Sequence, residues 1–217
     1  EAIELVGERP RFVGRGGLKL DAALDTFAID VTGIRAVDAG ASTGGFTDCL
    51  LQRGAASVVA VDVGSGQLAW SLRNDPRVTV RERCNARHLT PADIGGPVEV
   101  VVGDLSFISL RLVAPALAGV AEDGADAVLL IKPQFEAGRS EVRRGGLVTD
   151  PAVHLAVLEH VTGALAGDGL TPVAVMPSPL RGASGNIEFV GHFRVRGQSN
   201  PPLPAAALAA AVEEAHR

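Results

Sequence analysis

The sequence has very little lysine. Two lysines, Lys19 and Lys132, among 20 basic residues leave 18 arginines. Cysteine is also rare. Cys49 and Cys84 show neither CxxC nor CxxH spacing, which argues against a disulfide framework or a thiolate metal site and for two plain thiols in a reducing compartment. No metal is expected. Mean hydropathy is positive, yet no run approaches the ~18 apolar residues that a membrane-spanning helix needs, so no stable membrane insertion is expected. The opening stretch EAIELVGERP has no basic region followed by an apolar one, so no signal peptide is visible. It begins with Glu, and the sequence reads as the later part of a longer chain. A net charge of −5, taken alone, argues against a nucleic-acid partner.

Apolar residues are plentiful: 47% of 217 residues is ample for the core of one large domain. Strand-like and helix-like segments alternate. Short buried runs at 34–40, 56–64, 77–83, 98–107, 125–132, 170–178 and 186–195 predict seven strands. Helical spacing is predicted at 44–55, 67–75, 108–124 (with a kink or restart at Pro115) and 151–169, and again in a terminal helix or tail after a linker at 196–204. Buried strands alternating with helices imply a mostly parallel sheet covered on both faces. No helical segment separates the last two strands, so they should form an adjacent antiparallel pair. The expected fold is therefore α/β and Rossmann-like: a seven-stranded, mostly parallel sheet with a terminal antiparallel strand.

The stretch DAGASTGGFTDCL (38–50) places Gly40, Gly44 and Gly45 between the first strand and its helix. In such sheets this turn holds a nucleotide-like cofactor, because glycine lets the backbone approach and the helix start offers free amides. The pattern is neither GxGxxG nor a phosphate-binding GK[ST] loop. Asp62 closes the second strand, 22 residues after Gly40, where a carboxylate can bind ribose hydroxyls. An adenosyl cofactor without a phosphate cradle fits, with S-adenosylmethionine ahead of NAD.

Four charges fall at strand ends or near them. Asp104 closes the fourth strand, Lys132 the fifth, and Glu188 opens the last. Each has a plainer alternative: Asp104 as a helix cap, Glu188 as a surface strand residue, and Lys19 as an exposed helix lysine. The arginine bias favours chemistry. Arginine serves wherever only positive charge matters, whereas lysine offers a compact amine that sheds its proton readily when buried. Pro133 is read as holding Lys132 extended, away from a following helix.

The stretches GRGGLKL, DAGASTGGFTDCLL, DLSFISL, LIKPQFEAGR and GNIEF together resemble the haemolysin A (TlyA) family of 2′-O-ribose rRNA methyltransferases, within the wider FtsJ-like class. The likeness runs over residues 11–195. It implies a class I methyltransferase domain at 19–195, a segment 1–18 following an S4-like RNA-binding domain upstream, and a tail at 196–217. It implies S-adenosylmethionine as cofactor and ribosomal RNA or ribosomal subunits as partner, with cytidine ribose as target and the cytoplasm as the place of action. By motif, a Lys-Asp-Lys-Glu tetrad falls on Lys19, Asp104, Lys132 and Glu188, and cofactor contacts on Gly40, Ala41, Ser42, Gly44, Gly45, Phe46, Asp62, Val63, Asn85 and Asp104. Lys132 would take the proton of the 2′-hydroxyl, with Lys19 as the second cation and the carboxylates orienting both. DLSF lacks the Asn/Asp-Pro-Pro-aromatic motif of enzymes that methylate base amines. Arg9, Arg11, Arg15, Arg139, Arg143, Arg144 and Arg181 are candidates for a basic strip on the crevice rim that meets RNA phosphates, and the loop 136–150 for a lid. An NAD-dependent oxidoreductase and a membrane-active haemolysin are the competing readings.

Overall fold

The computed structural model describes residues 10–197 and 203–217. Arg9 and the middle of the expected linker lie outside the described residues. Seven strands form one sheet in the order β3-β2-β1-β4-β5-β7-β6. They are β1 (Arg35–Ala39), β2 (Ser57–Val61), β3 (Val78–Arg81), β4 (Val98–Gly103), β5 (Ala121–Ile131), β6 (Leu170–Pro177) and β7 (Phe189–Val195). The first five run parallel, and β7 runs antiparallel to both β5 and β6.

Alternation along each strand splits the core into two layers. Val37, Ala39, Val101, Leu129 and Ile131 face one layer, with Leu158, Val161 and Leu165 of α7 (Pro151–Gly167) and Leu208 and Val212 of α8 (Ala205–Ala215). Ala36, Val58, Val100, Val128 and Leu130 face the other, with Leu20 and Leu24 of α1 (Gly16–Thr26) and Leu50 of α2 (Gly45–Gln52). Leu129, Leu130 and Ile131 are at most 1% exposed. Burying each contributes about 1.5–3 kcal/mol, which fixes the end of β5 and the residue that follows it.

Shorter helices complete the chain: α3 (Trp70–Arg73), α4 (Pro91–Ile94), α5 (Ala114–Gly119) and α6 (Pro133–Glu136). Three expectations are corrected here. The helix expected at 67–75 is one turn. The helix expected at 108–124 stops at Gly119, and β5 begins at Ala121, ahead of a register shift in its pairing with β4. The guanidinium of Arg196 holds this extension by donating to the carbonyls of Ala118 and Ala121. Lys132 is extended, with φ −112° and ψ 102°, but Pro133 does not keep a helix away from it: Pro133 is the first residue of α6, and Lys132 is its N-cap.

Candidate functional site

The site lies where four parallel strands end. The residues just past β1, β2, β4 and β5 are Gly40, Asp62, Asp104 and Lys132. The register that pairs Ile131 with Phe189 brings Glu188, just ahead of β7, to the same edge beside Lys132. Strand order reverses between β1 and β4, the place where open α/β sheets hold ligands.

Two connected hollows open there. A cavity of about 610 Å³ is lined by Gly40, Ser42, Asp62, Val63, Asn85 and Asp104, all expected from the sequence. Cys84, Ser106, Phe107 and Val113 also line it. A cleft of about 220 Å³ adjoins it, lined by Gly40, Ala41, Ser42, Gly45, Phe46, Asp104, Ser106 and Lys132. The two share Gly40, Ser42, Asp104 and Ser106.

The turn after β1 is shaped by backbone. Gly40 has φ +84°, and a Cβ there would sit 3.0 Å from the Asp104 carbonyl oxygen. A side chain there would press against the backbone at the cavity wall. Gly44 acts differently. With φ +99°, its missing Cβ would overlap Leu72, so it packs against α3 and lines neither hollow. Asp62 accepts from the backbone amides of Ser42 at 2.8 Å and Gly64 at 2.7 Å. Both its oxygens are thereby fixed at the cavity wall with lone pairs left for hydroxyl donors.

Below the turn lies Asp38, fully buried on β1. One of its oxygens accepts from the amide of Thr47 at 2.9 Å and from its hydroxyl at 2.7 Å, while Oδ1 has no partner. Burial pushes this carboxyl up to about 7; the Thr47 bonds oppose the rise, and Asp104 and Asp62 add to it. Its burial is not apparent from the motif in which it stands.

The four candidate charges form two pairs. Lys19, from α1, donates to Glu188 Oε2 at 2.6 Å, both side chains under one-tenth exposed. Lys19 is thus not the exposed helix residue that its local position favours. Lys132 Nζ lies 2.6 Å from Asp104 Oδ1, which has no aligned hydrogen bond, and donates to Ser106 Oγ at 2.8 Å. The first contact is a meeting of charges; the second is the directed bond. Burial raises the Glu136 carboxyl of α6, despite bonds from the Ser109 hydroxyl and the Leu110 amide. Those bonds tie the segment after Lys132 to the loop after β4.

Of the arginines, Arg15 and Arg181 meet: the Arg15 guanidinium donates to the Arg181 carbonyl at 3.1 Å. Arg139, Arg143 and Arg144 are exposed on the neighbouring loop. That loop is fastened at Asn186, which donates to the Gly146 carbonyl and accepts from the Val148 amide. Arg11 stands apart. Asp21 holds its guanidinium, together with that of Arg53. Phe107, 91% exposed with φ +62°, stands at the cavity mouth with its ring 5.1 Å from that of Phe135. Ser106 and Phe107 are site residues that sequence reasoning misses. Both belong to DLSF, a stretch that is telling in sequence for the prolines it lacks and not for these two side chains.

Residues 12–195 match the FtsJ-like methyltransferase family. The chain is 54% identical over 215 residues to the 16S/23S rRNA (cytidine-2′-O)-methyltransferase TlyA of Mycobacterium tuberculosis, covering 99% of this chain and 80% of that protein. Its fold matches a solved hemolysin candidate from Streptococcus thermophilus with a TM-score of 0.92 and 44% identity, over 97% of this chain and 76% of that one. An S-adenosylmethionine-dependent methyltransferase from Mesorhizobium loti, 15% identical with a TM-score of 0.59 over 80% of this chain and 96% of that one, shares the fold alone. The sheet order, the glycine turn and these likenesses agree, and the chain belongs to the FtsJ-like methyltransferase family, in the group that holds the TlyA proteins.

Proposed function

We propose that the chain transfers a methyl group from S-adenosylmethionine to the 2′-hydroxyl of a cytidine ribose in ribosomal RNA, acting in the cytoplasm. The observation that carries this reading is the position of Lys132. Its Nζ stands in the cleft beside the glycine turn, next to the Asp104 carboxylate.

S-adenosylmethionine supplies, when bound, a methyl group on a sulfonium that leaves as a neutral thioether. The residues present suit it. Asp62 would accept from ribose hydroxyls, Val63 and Asn85 would flank the adenine, and Gly40, Ser42 and Phe46 would border the methionine part. With no phosphate to hold, the turn needs no lysine or P-loop. Lys132, as a neutral amine, takes the 2′-hydroxyl proton while the oxygen attacks the methyl carbon. Asp104 neutralises the ammonium that results. Lys19 and Glu188 form a second, buried ion pair.

RNA reaches the site as a turned-out nucleotide. Phe107 offers an exposed ring at the mouth on which a base can stack. Arg15 and Arg181 stand where phosphates can be held, and Arg139, Arg143 and Arg144 extend the basic surface. This reconciles an RNA partner with the net charge: a basic edge on an acidic protein. Among the described residues no helix is long and apolar enough to cross a membrane.

The test is methyl transfer from labelled donor to intact ribosomal subunits and to naked rRNA, with the modified nucleotides mapped. The expected product is a 2′-O-methylated cytidine. Label on a base, or none on RNA despite cofactor binding, contradicts the proposal. Vesicle leakage without methyl donor would favour the haemolysin reading.

A further inference from the structure

We propose that Ser106 is a positioning residue for Lys132: its hydroxyl sets the direction in which the neutral amine presents its lone pair. This rests on the methyl-transfer reading above and names a residue that reading does not use.

A neutral amine has two N–H bonds and one lone pair. Which of these faces the substrate depends on rotation about the last carbon–nitrogen bond of the side chain. At Lys132 that rotation is restrained by two neighbours of different kinds. Asp104 Oδ1, 2.6 Å away, attracts the nitrogen without an aligned hydrogen bond. Ser106 Oγ, 2.8 Å away, accepts a directed one. With one N–H on Ser106, two tetrahedral directions remain, and the lone pair is repelled from the adjacent Asp104 carboxylate, so it takes the one that faces away from it. The Asp104 contact alone, with no aligned hydrogen bond, would leave the nitrogen free to rotate.

The place of Ser106 suits this role. It stands two residues beyond Asp104, on the loop leaving β4, and lines both the large cavity and the cleft that holds Lys132. It is exposed, and no other side-chain bond occupies its hydroxyl among those found in the described residues. Removing the hydroxyl therefore leaves the core untouched.

The experiment compares Ser106→Ala, Ser106→Thr and Lys132→Arg in the full chain, measuring kcat and KM on rRNA and cofactor affinity by calorimetry. Ser106→Ala should lower kcat by roughly 10- to 100-fold, the scale of a displaced reacting group, with KM and cofactor affinity within about twofold. Ser106→Thr, which restores the acceptor, should recover kcat to within about threefold of the unaltered chain. Unchanged kcat in Ser106→Ala, a loss that appears in cofactor affinity instead, or a Thr variant as impaired as Ala would each overturn the proposal. Lys132→Arg separates the two readings. If it is inactive while Ser106→Ala is not impaired, only the role of Ser106 fails; if it stays active, the general base itself is lost and Ser106 with it.

Discussion

Lys19 comes from a helix and Lys132 from the end of a strand, and their surroundings differ. Lys19 ends on Glu188, with both partners sealed from solvent. Lys132 ends beside Asp104, a quarter exposed, in a cleft open to the cofactor cavity. The first pair is closed: each charge is answered by the other. The second has a directed bond to a serine and room for a ligand. The two lysines are about equally buried, so the difference lies in their surroundings: one amine is closed onto a buried carboxylate, and the other borders a cleft beside a partly exposed one.

Stability separates the two pairs most strongly. Lys19→Ala leaves Glu188 buried and unpaired, and should cost about 3–5 kcal/mol in urea unfolding. Lys132→Ala should cost no more than about 1–2 kcal/mol, because water reaches Asp104 once its partner goes. Equal costs would erase the distinction.

The buried Asp38 carboxyl below the glycine turn gives a pH effect. Burial raises Asp38 to about 7, so the fold favours its neutral form. The stability this gives is complete below about pH 4 and is lost as pH rises through about 7. Asp38→Asn imitates the neutral form. Without ligand, it should match the unaltered chain at pH 4 and exceed its stability by a few kcal/mol, as an order of magnitude, at pH 8. Thermal melts across that range check this. A variant that melts lower at pH 8 would show that the charged form is preferred.

The smallest effects belong to the rim. Arg15→Gln and Arg181→Gln should each weaken RNA binding and reduce the salt slope by about one, leaving stability nearly unchanged. Arg11→Gln should instead lower stability and leave RNA binding nearly unchanged, since its guanidinium is held by Asp21. Binding titrations at several salt concentrations would sort the three.

Much of this arrangement is legible in the sequence, and the exceptions share a cause. The β-branched runs at β2 and β4, the apolar run of β5 and the punctuation of α7 declare themselves locally. The strand-end positions of Asp62, Asp104 and Lys132 follow from them. The burial of Lys19 does not, because its partner is 169 residues away. Likewise Glu122, Asp123 and Gly124 read as the end of a helix, and distant partners, Val98 of β4 and the guanidinium of Arg196, hold their neighbour Ala121 in a strand. The conformation of Phe107, with positive φ and an exposed ring, is set by the loop and not by its residue type. Short-range pattern places a strand end; long-range contact decides which side chains it gathers.

The central claim concerns the proton. Lys132→Arg keeps the positive charge in the cleft and removes an amine that can be neutral. Methyl transfer to rRNA from labelled donor, measured with cofactor affinity on the same sample, tests it most directly. The expected result is a loss of transfer of roughly 10²- to 10⁴-fold with cofactor affinity nearly unchanged. Transfer at the rate of the unaltered chain would contradict the role of Lys132 as general base.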